Sequence, residues 1–299
     1  MEKHLKVIID FDGTLTAEET QVADLAAKSL DTLAGEFLHV PREGLAGDYQ
    51  ATQERLLRAP HRYFWEVNGL VASYCDEGAF ILNTTTLQTM LRENPAHAQA
   101  IAAAFPQAEY DPVVDCTNYL FHRHTAELAP RFRPAAREVL ASLSEDPHRM
   151  PIVLTNSLGD KVRRHLDTLG LAEEVAVLGD TRQYEMAPNW PHRFHHPELG
   201  KLQIWPVDEV HAVDLRRPAY YQALVQASAP PDQGRRATTL AVVADTFSLP
   251  GAMPLMMGIS FLLLRTAYTP DWCIDATSVH PLGWVLDDLA DLPAVLDRL

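Results

Sequence analysis

The stretch Val7-Ile8-Ile9-Asp10-Phe11-Asp12-Gly13-Thr14-Leu15-Thr16 decides how this chain is read. Three β-branched apolar residues run straight into an acidic turn. Extended back to Leu5, the run has the pattern of a buried parallel strand. Gly13 lets the chain turn sharply behind it. The two carboxylates stand two residues apart and can divide one reaction between them. Asp10, at the strand end, is placed to attack phosphorus as a nucleophile. Asp12 is placed to protonate a leaving oxygen and later to activate water.

The pattern recurs further on. Residues 151–154 form an apolar run that ends at Thr155-Asn156-Ser157, and residues 238–244 form one that ends at Asp245. Further strands are expected at 175–178 and 259–264, with helices at 134–143, 161–169, 218–227 and 285–296 between and after them. This alternation predicts an α/β fold, a Rossmann-like parallel sheet covered on both faces. Ligands of such sheets bind beyond the carboxyl ends of the strands. Asp10, Asp12, Thr155, Asn156 and Asp245 are therefore expected to meet there. A carboxylate attacks a phosphate dianion only when a cation screens the charge. Asp245 suits Mg²⁺, which takes carboxylate oxygen and water. Thr155 and Asn156 are expected to bind phosphate oxygens.

Residues 17–128 read differently. Val22, Leu25, Leu30, Leu33 and Phe37 recur at helical spacing. Helices are also expected at 53–57, 63–74, 85–92 and 96–105, punctuated by Pro60, Pro95 and Pro106. No strand ladder is expected, so this segment is an α-helical insert. The core then comprises 1–16 and 129–299. Within it, 179–213 is rich in Pro, His, Trp and Tyr and reads as a long irregular loop or a small hairpin excursion. His192, His195 and His196 read as surface histidines, and Trp190, Trp205 and Tyr184 either pack this loop or line a pocket.

Of the 299 residues, 47% are hydrophobic, enough for a substantial core, and the net charge is −15. An acidic surface disfavours nucleic acid and anionic membranes. It also means that a phosphorylated substrate needs a local cationic pocket. The cysteines, Cys75, Cys116 and Cys273, are scattered and form no CxxC, which fits a reducing compartment and a cytoplasmic protein. No signal-peptide pattern opens the chain. Its most apolar segment, 253–264, is too short to span a bilayer.

VIIDFDGTLT resembles the first motif of the haloacid dehalogenase superfamily, an apolar strand followed by DxDGT. IVLTNS is similar to its second motif and AVVAD to its fourth. The resemblance implies a Rossmann-like core with a helical cap inserted between the first two motifs. It implies Asp10 as nucleophile and metal ligand, and Asp12 as general acid and base with its carbonyl on the metal. It implies Thr155 on the transferring group and Asp245 completing the protein's share of a Mg²⁺ site. Members that remove halide from carbon lack the second acid, so DxD points to phosphate. The implied protein is a phosphatase acting on a small phosphorylated metabolite through an aspartyl-phosphate. A phosphotransferase or phosphomutase on the same site is the alternative, as is a degenerate core kept as a binding or regulatory module.

Two departures accompany the resemblance. The third motif's lysine is absent from its usual place, where Arg216-Arg217-Pro218 stands. Arg217 is taken as its substitute, although arginine is bulkier and recognises phosphate differently. Lys161 is set aside as too near the second motif, and Lys201 as too early. The second acid expected after Asp245 is also missing, with Leu249 and Pro250 in its positions.

Overall fold

The computed structural model describes residues 4–228 and 238–299. The chain divides into two compact units, Met1–Ala17 with Pro130–Leu299, and Glu18–Ala129. The first unit is built on six strands: β1 (His4–Ile9), β2 (Arg149–Leu154), β3 (Ala176–Leu178), β4 (Thr238–Ala244), β5 (Ser260–Leu264) and β6 (Gly283–Leu286). They form one sheet in the order β3-β2-β1-β4-β5-β6. Every pairing in it is parallel.

Alternate residues of each strand feed opposite cores, as the two-residue period of a strand requires. Val7 and Ile9 join Val153, Val243 and Leu262 on one face, covered by the helices Ala136–Glu145 and Gly159–Asp167. Ile8 joins Leu154, Val242 and Leu263 on the other, covered by the helix Pro218–Ser228. Burying each such side chain contributes roughly 1.5–3 kcal/mol. The strand order runs outward from β1 to β3 on one side and from β4 to β6 on the other. It reverses between β1 and β4, and such a reversal opens a crevice at the strands' carboxyl ends. Asp10 and Asp245 follow the two strands that flank it.

The segment 179–213 is neither a single loop nor a single hairpin. Phe194–His196 pairs with Gly200–Leu202, and Ile204–Pro206 pairs with Ala212–Asp214, both antiparallel. Phe194, Leu202, Trp205 and Val213 are buried in the core that contains Ile8. Trp190 stacks on His192 with ring centroids 4.9 Å apart. Trp190, Phe194 and Trp205 therefore pack this excursion onto the sheet.

In the second unit, helices occupy Val22–Thr32, Arg42–Arg58, Ala79–Glu93, Pro95–Ala104 and Pro112–Thr125. Leu30, Leu33, Leu45, Leu87, Leu91, Ile101 and Leu120 share one core. The Asn94 and Asp111 side chains cap the last two helices by accepting backbone N–H groups, each ahead of a proline in the first turn. The expectation of a helix at 63–74, and of no strand pairing in the insert, is overturned. Phe64–Val67 and Leu70–Tyr74 form an antiparallel hairpin. Asn68 and Gly69 take φ of +53° and +71° at its tip, as a two-residue hairpin turn of Asn-Gly type demands. No helix among the described residues is long and apolar enough to cross a membrane.

Candidate active site

Asp10 leaves β1 with its N–H on the Val243 carbonyl of β4, at 2.9 Å. The turn behind it is held from both sides. The Asp245 N–H donates to Thr14 Oγ1 at 3.0 Å, and that hydroxyl donates back to Asp245 Oδ1 at 3.1 Å. Gly13 has φ of +82°, and a Cβ there would lie 2.1 Å from Asp245 Oδ2. Only glycine lets the carboxylate sit against this turn. The half-buried Arg133 donates to the Gly13 carbonyl through Nε at 3.0 Å and Nη2 at 2.5 Å.

Asp12 faces the second motif. Ser157 Oγ donates to Asp12 Oδ2 at 2.6 Å. Lys161 Nζ donates to Ser157 Oγ at 3.1 Å and lies 3.6 Å from Asp12 Oδ1. Ser157 and Lys161 are four residues apart, so the helix Gly159–Asp167 carries the lysine back over the turn that holds the serine. Both are buried. The nearness of Lys161 to the second motif is what brings its ammonium to Asp12. One turn further on, His165 is pushed below its ordinary value by burial and by the Lys161 charge, while Asp12 acts in the opposite sense.

Thr155 and Asn156 serve the backbone around them. Thr155 Oγ1 accepts the Ser157 N–H at 3.1 Å, and the Thr155 carbonyl accepts the Thr181 hydroxyl at 2.8 Å. Asn156 Oδ1 accepts the Gln183 N–H at 2.7 Å. The Gln183 carbonyl accepts Arg217 Nη1 at 3.2 Å, and the Asp214 carbonyl accepts Arg217 Nε at 2.8 Å. Arg217 is thus fully buried with two of its donors on main-chain carbonyls. Arg216 instead forks onto the Asp214 carboxylate. Tyr220, three residues after Arg217, is fully buried and donates to the Pro250 carbonyl at 3.2 Å. Burial and the Asp10 charge push its hydroxyl well up, and Arg217 opposes this. Asp10, Arg217 and Tyr220 therefore share one electrostatic neighbourhood.

The positions expected to carry another acid, Leu249 and Pro250, are buried in the turn that receives the Tyr220 hydroxyl. Among the described residues, no three His, Cys, Asp or Glu side chains form a group able to hold a metal. The acids that follow the two strands flanking the crevice, Asp10 and Asp245, offer carboxylate oxygen. That set fits a hard cation that keeps several waters.

No family model matches the sequence, and no curated protein matches it. Solved structures do. The hydrolase YfnB from Bacillus subtilis, of the haloacid dehalogenase type and determined bound to magnesium, aligns over 99% of both chains at 12% identity with a TM-score of 0.52. The chain has the haloacid dehalogenase-like fold. A predicted phosphoglycolate phosphatase from Haemophilus somnus (16% identity, 99% of both chains, TM-score 0.47) and a 2-haloacid dehalogenase from Pseudomonas syringae (18%, 99% of both chains, 0.44) also align. At these identities the likeness is one of fold.

On that fold, Thr14, Arg133 and Ser157 join the site without having been singled out from the sequence, and Lys161 joins it although set aside there. Thr14 and Ser157 lie inside the quoted motifs, and their hydroxyls are the available signal. The i,i+4 spacing of Ser157 and Lys161 is the signal for the lysine. Arg133 carries none, because its partner is a main-chain carbonyl 120 residues away.

Proposed function

We propose that this chain is a Mg²⁺-dependent phosphatase that hydrolyses a small phosphomonoester through an aspartyl-phosphate on Asp10. The observation that carries the reading is the seating of Asp12. It stands two residues after Asp10 at the sheet's switch point and is held by the Ser157 hydroxyl beside the Lys161 ammonium. A halide leaving group needs no proton, whereas an alkoxide does. A second, positioned carboxyl group therefore supports phosphate ester over carbon–halogen chemistry.

In this reading an Asp10 oxygen forms a bond to phosphorus as the ester P–O bond breaks. The electron pair goes to the leaving oxygen, which takes its proton from Asp12. A water oxygen then bonds to phosphorus and gives its proton to Asp12, and the Asp10–phosphorus bond breaks with its pair returning to Asp10. Asp10, Asp245 and the Asp12 carbonyl would hold Mg²⁺, which when bound supplies charge neutralisation at the phosphoryl oxygens. Arg217 adds local positive charge to a molecule of net charge −15. The insert is proposed to select the substrate.

The test is phosphate release from a panel of phosphomonoesters, with and without Mg²⁺, for wild type and Asp10→Asn. Release that needs both the cation and Asp10 is the expected result. Substantial turnover by a folded Asp10→Asn protein would overturn the mechanism, and halide release from haloacids without phosphate release would overturn the reaction class.

A further inference from the structure

We propose that Lys161 is a positioning residue that decides which oxygen of Asp12 exchanges protons with the substrate. The inference rests on the phosphatase reading and adds to it. It follows from hydrogen-bond polarity. A lysine ammonium has three donors and no acceptor. At 3.1 Å from Lys161 Nζ, Ser157 Oγ must accept. The serine hydroxyl has one proton, and among the described residues its other side-chain neighbour within hydrogen-bonding distance is Asp12 Oδ2 at 2.6 Å. Ser157 is 1% exposed, so no bulk water stands in as acceptor. Reversing the Ser157–Asp12 bond would leave that buried proton unsatisfied, a cost of about 1–3 kcal/mol. The chain therefore runs from Lys161 to Ser157 to Asp12 Oδ2, whatever the charge on Asp12.

Oδ2 is thereby an acceptor, and any proton that Asp12 carries sits on Oδ1. Oδ1 is 3.6 Å from Lys161 Nζ, beyond hydrogen-bond reach, so the ammonium attracts it without capping it. In the first half-reaction the Oδ1–H bond breaks and its proton passes to the leaving oxygen. In the second half-reaction Oδ1 takes a proton from the attacking water. Without Lys161, the space its ammonium fills opens to water, which can accept the Ser157 proton and so let the hydroxyl accept one from Oδ2. The acid then points its proton at the serine and away from the ester. Among the other lysines of the described residues, Lys6 donates to the Ala227 carbonyl and Lys28 pairs with Glu127 in the second unit. Lys201 lies exposed on a hairpin.

A structural prop and a proton-directing residue differ in how the loss depends on the leaving group. Lys161→Met, Lys161→Arg, Ser157→Ala and Ser157→Thr would be assayed with Mg²⁺ on an alkyl phosphomonoester, whose alkoxide needs a proton, and on p-nitrophenyl phosphate, whose phenolate does not. Lys161→Met and Ser157→Ala should lose about 10²-fold in kcat on the alkyl ester, the usual scale of general acid catalysis, but less than about 5-fold on p-nitrophenyl phosphate. KM and inhibition by inorganic phosphate should stay within about twofold, and Lys161→Arg and Ser157→Thr should recover most of the loss. Equal losses on both esters, no loss on either, or a change confined to KM and phosphate inhibition would overturn the assignment while leaving the phosphatase reading intact. A wild type silent on both esters would overturn the two together. If Lys161→Met fails to fold, the Ser157→Ala and Ser157→Thr pair decides the question by the same ratio.

Discussion

Thr14 and Asp245 are locked together by one hydroxyl that plays both roles. It accepts the Asp245 N–H at 3.0 Å and donates to Asp245 Oδ1 at 3.1 Å. Both residues are buried, at 0% and 3% exposure, so neither bond is readily replaced by water. Thr14→Val keeps the shape and removes one hydrogen bond from a buried N–H and one from a buried carboxylate. The expected loss is about 2 kcal/mol, read as a fall in urea midpoint at unchanged m-value. Thr14→Ser keeps the hydroxyl and should stay within about 0.5–1 kcal/mol of wild type, since it gives up only a methyl group. Trp190, Trp205, Trp272 and Trp284 all belong to this unit, so intrinsic fluorescence reports it. Equal midpoints for the two variants would refute the capping role.

Gly13 is held to glycine twice over, by a φ of +82° and by Asp245 Oδ2 standing 2.1 Å from where a Cβ would be. Gly170 offers the control, because its φ is +71° with nothing within 4 Å. Gly170→Ala should cost only the left-handed backbone penalty, about 1–2 kcal/mol. Gly13→Ala adds a displaced carboxylate. It should cost clearly more and should also reduce phosphate release about 10²-fold or further, by moving a charge aimed at the reacting group. Matching costs and retained activity would show that the carboxylate accommodates the methyl group.

The parts of this molecule that were legible in the sequence share a physical property: their signal is local. Val7-Ile8-Ile9 and Leu240–Ala244 are apolar runs with one sensible burial, and Asp10 and Asp245 follow them directly. Their meeting needs only the topology of a parallel sheet. Lys161 was legible only in part: its i,i+4 spacing places it over Ser157, but its approach to Asp12 depends on a segment 149 residues away. Arg217 was expected to face phosphate, yet two of its donors hold the carbonyls of Gln183 and Asp214. Main-chain carbonyls leave no mark in a sequence. The paired strands of 179–213 are three residues each, too short to display a period. At 63–74 a local signal existed in Asn68-Gly69, and the helical pattern of its neighbours masked it.

That hairpin makes its own prediction. Asn68 and Gly69 both take positive φ, and nothing lies within 4 Å of where a Gly69 Cβ would be. Replacement therefore tests backbone strain alone. Gly69→Ala should destabilise the second unit by about 1–2 kcal/mol, and Gly69→Val by more, because a β-branched residue tolerates this region least. Asn68→Gly should be neutral within about 0.5 kcal/mol, since glycine adopts the same φ without strain. Hydrogen exchange at the amides of Leu70–Tyr74 would read these differences. Unchanged protection in Gly69→Val would mean that the turn is not what sets the strand register.

His124 links the stability of the same unit to pH. Its Nε2 lies 2.9 Å from Thr32 Oγ1, and the ring is buried with Nδ1 lacking a hydrogen-bond partner. Burial pushes the imidazole below its ordinary value. Glu127 opposes the shift, and Arg123 and Lys28 reinforce it. The unfolded chain therefore takes up the proton first as pH falls. The stabilisation is complete above the unfolded value of about 6.5 and is lost as pH drops through the lower folded value. His165 and His280 shift in the same direction, each led by burial. The urea midpoint of the wild type should thus be flat from about pH 7 to 8 and fall below about 6.5. In His124→Gln, which hydrogen-bonds without titrating, the fall should be shallower and the midpoint at pH 5.5 closer to that at pH 7.5. A slope indifferent to His124 would place the acid sensitivity elsewhere, with His165→Gln as the next variant to measure.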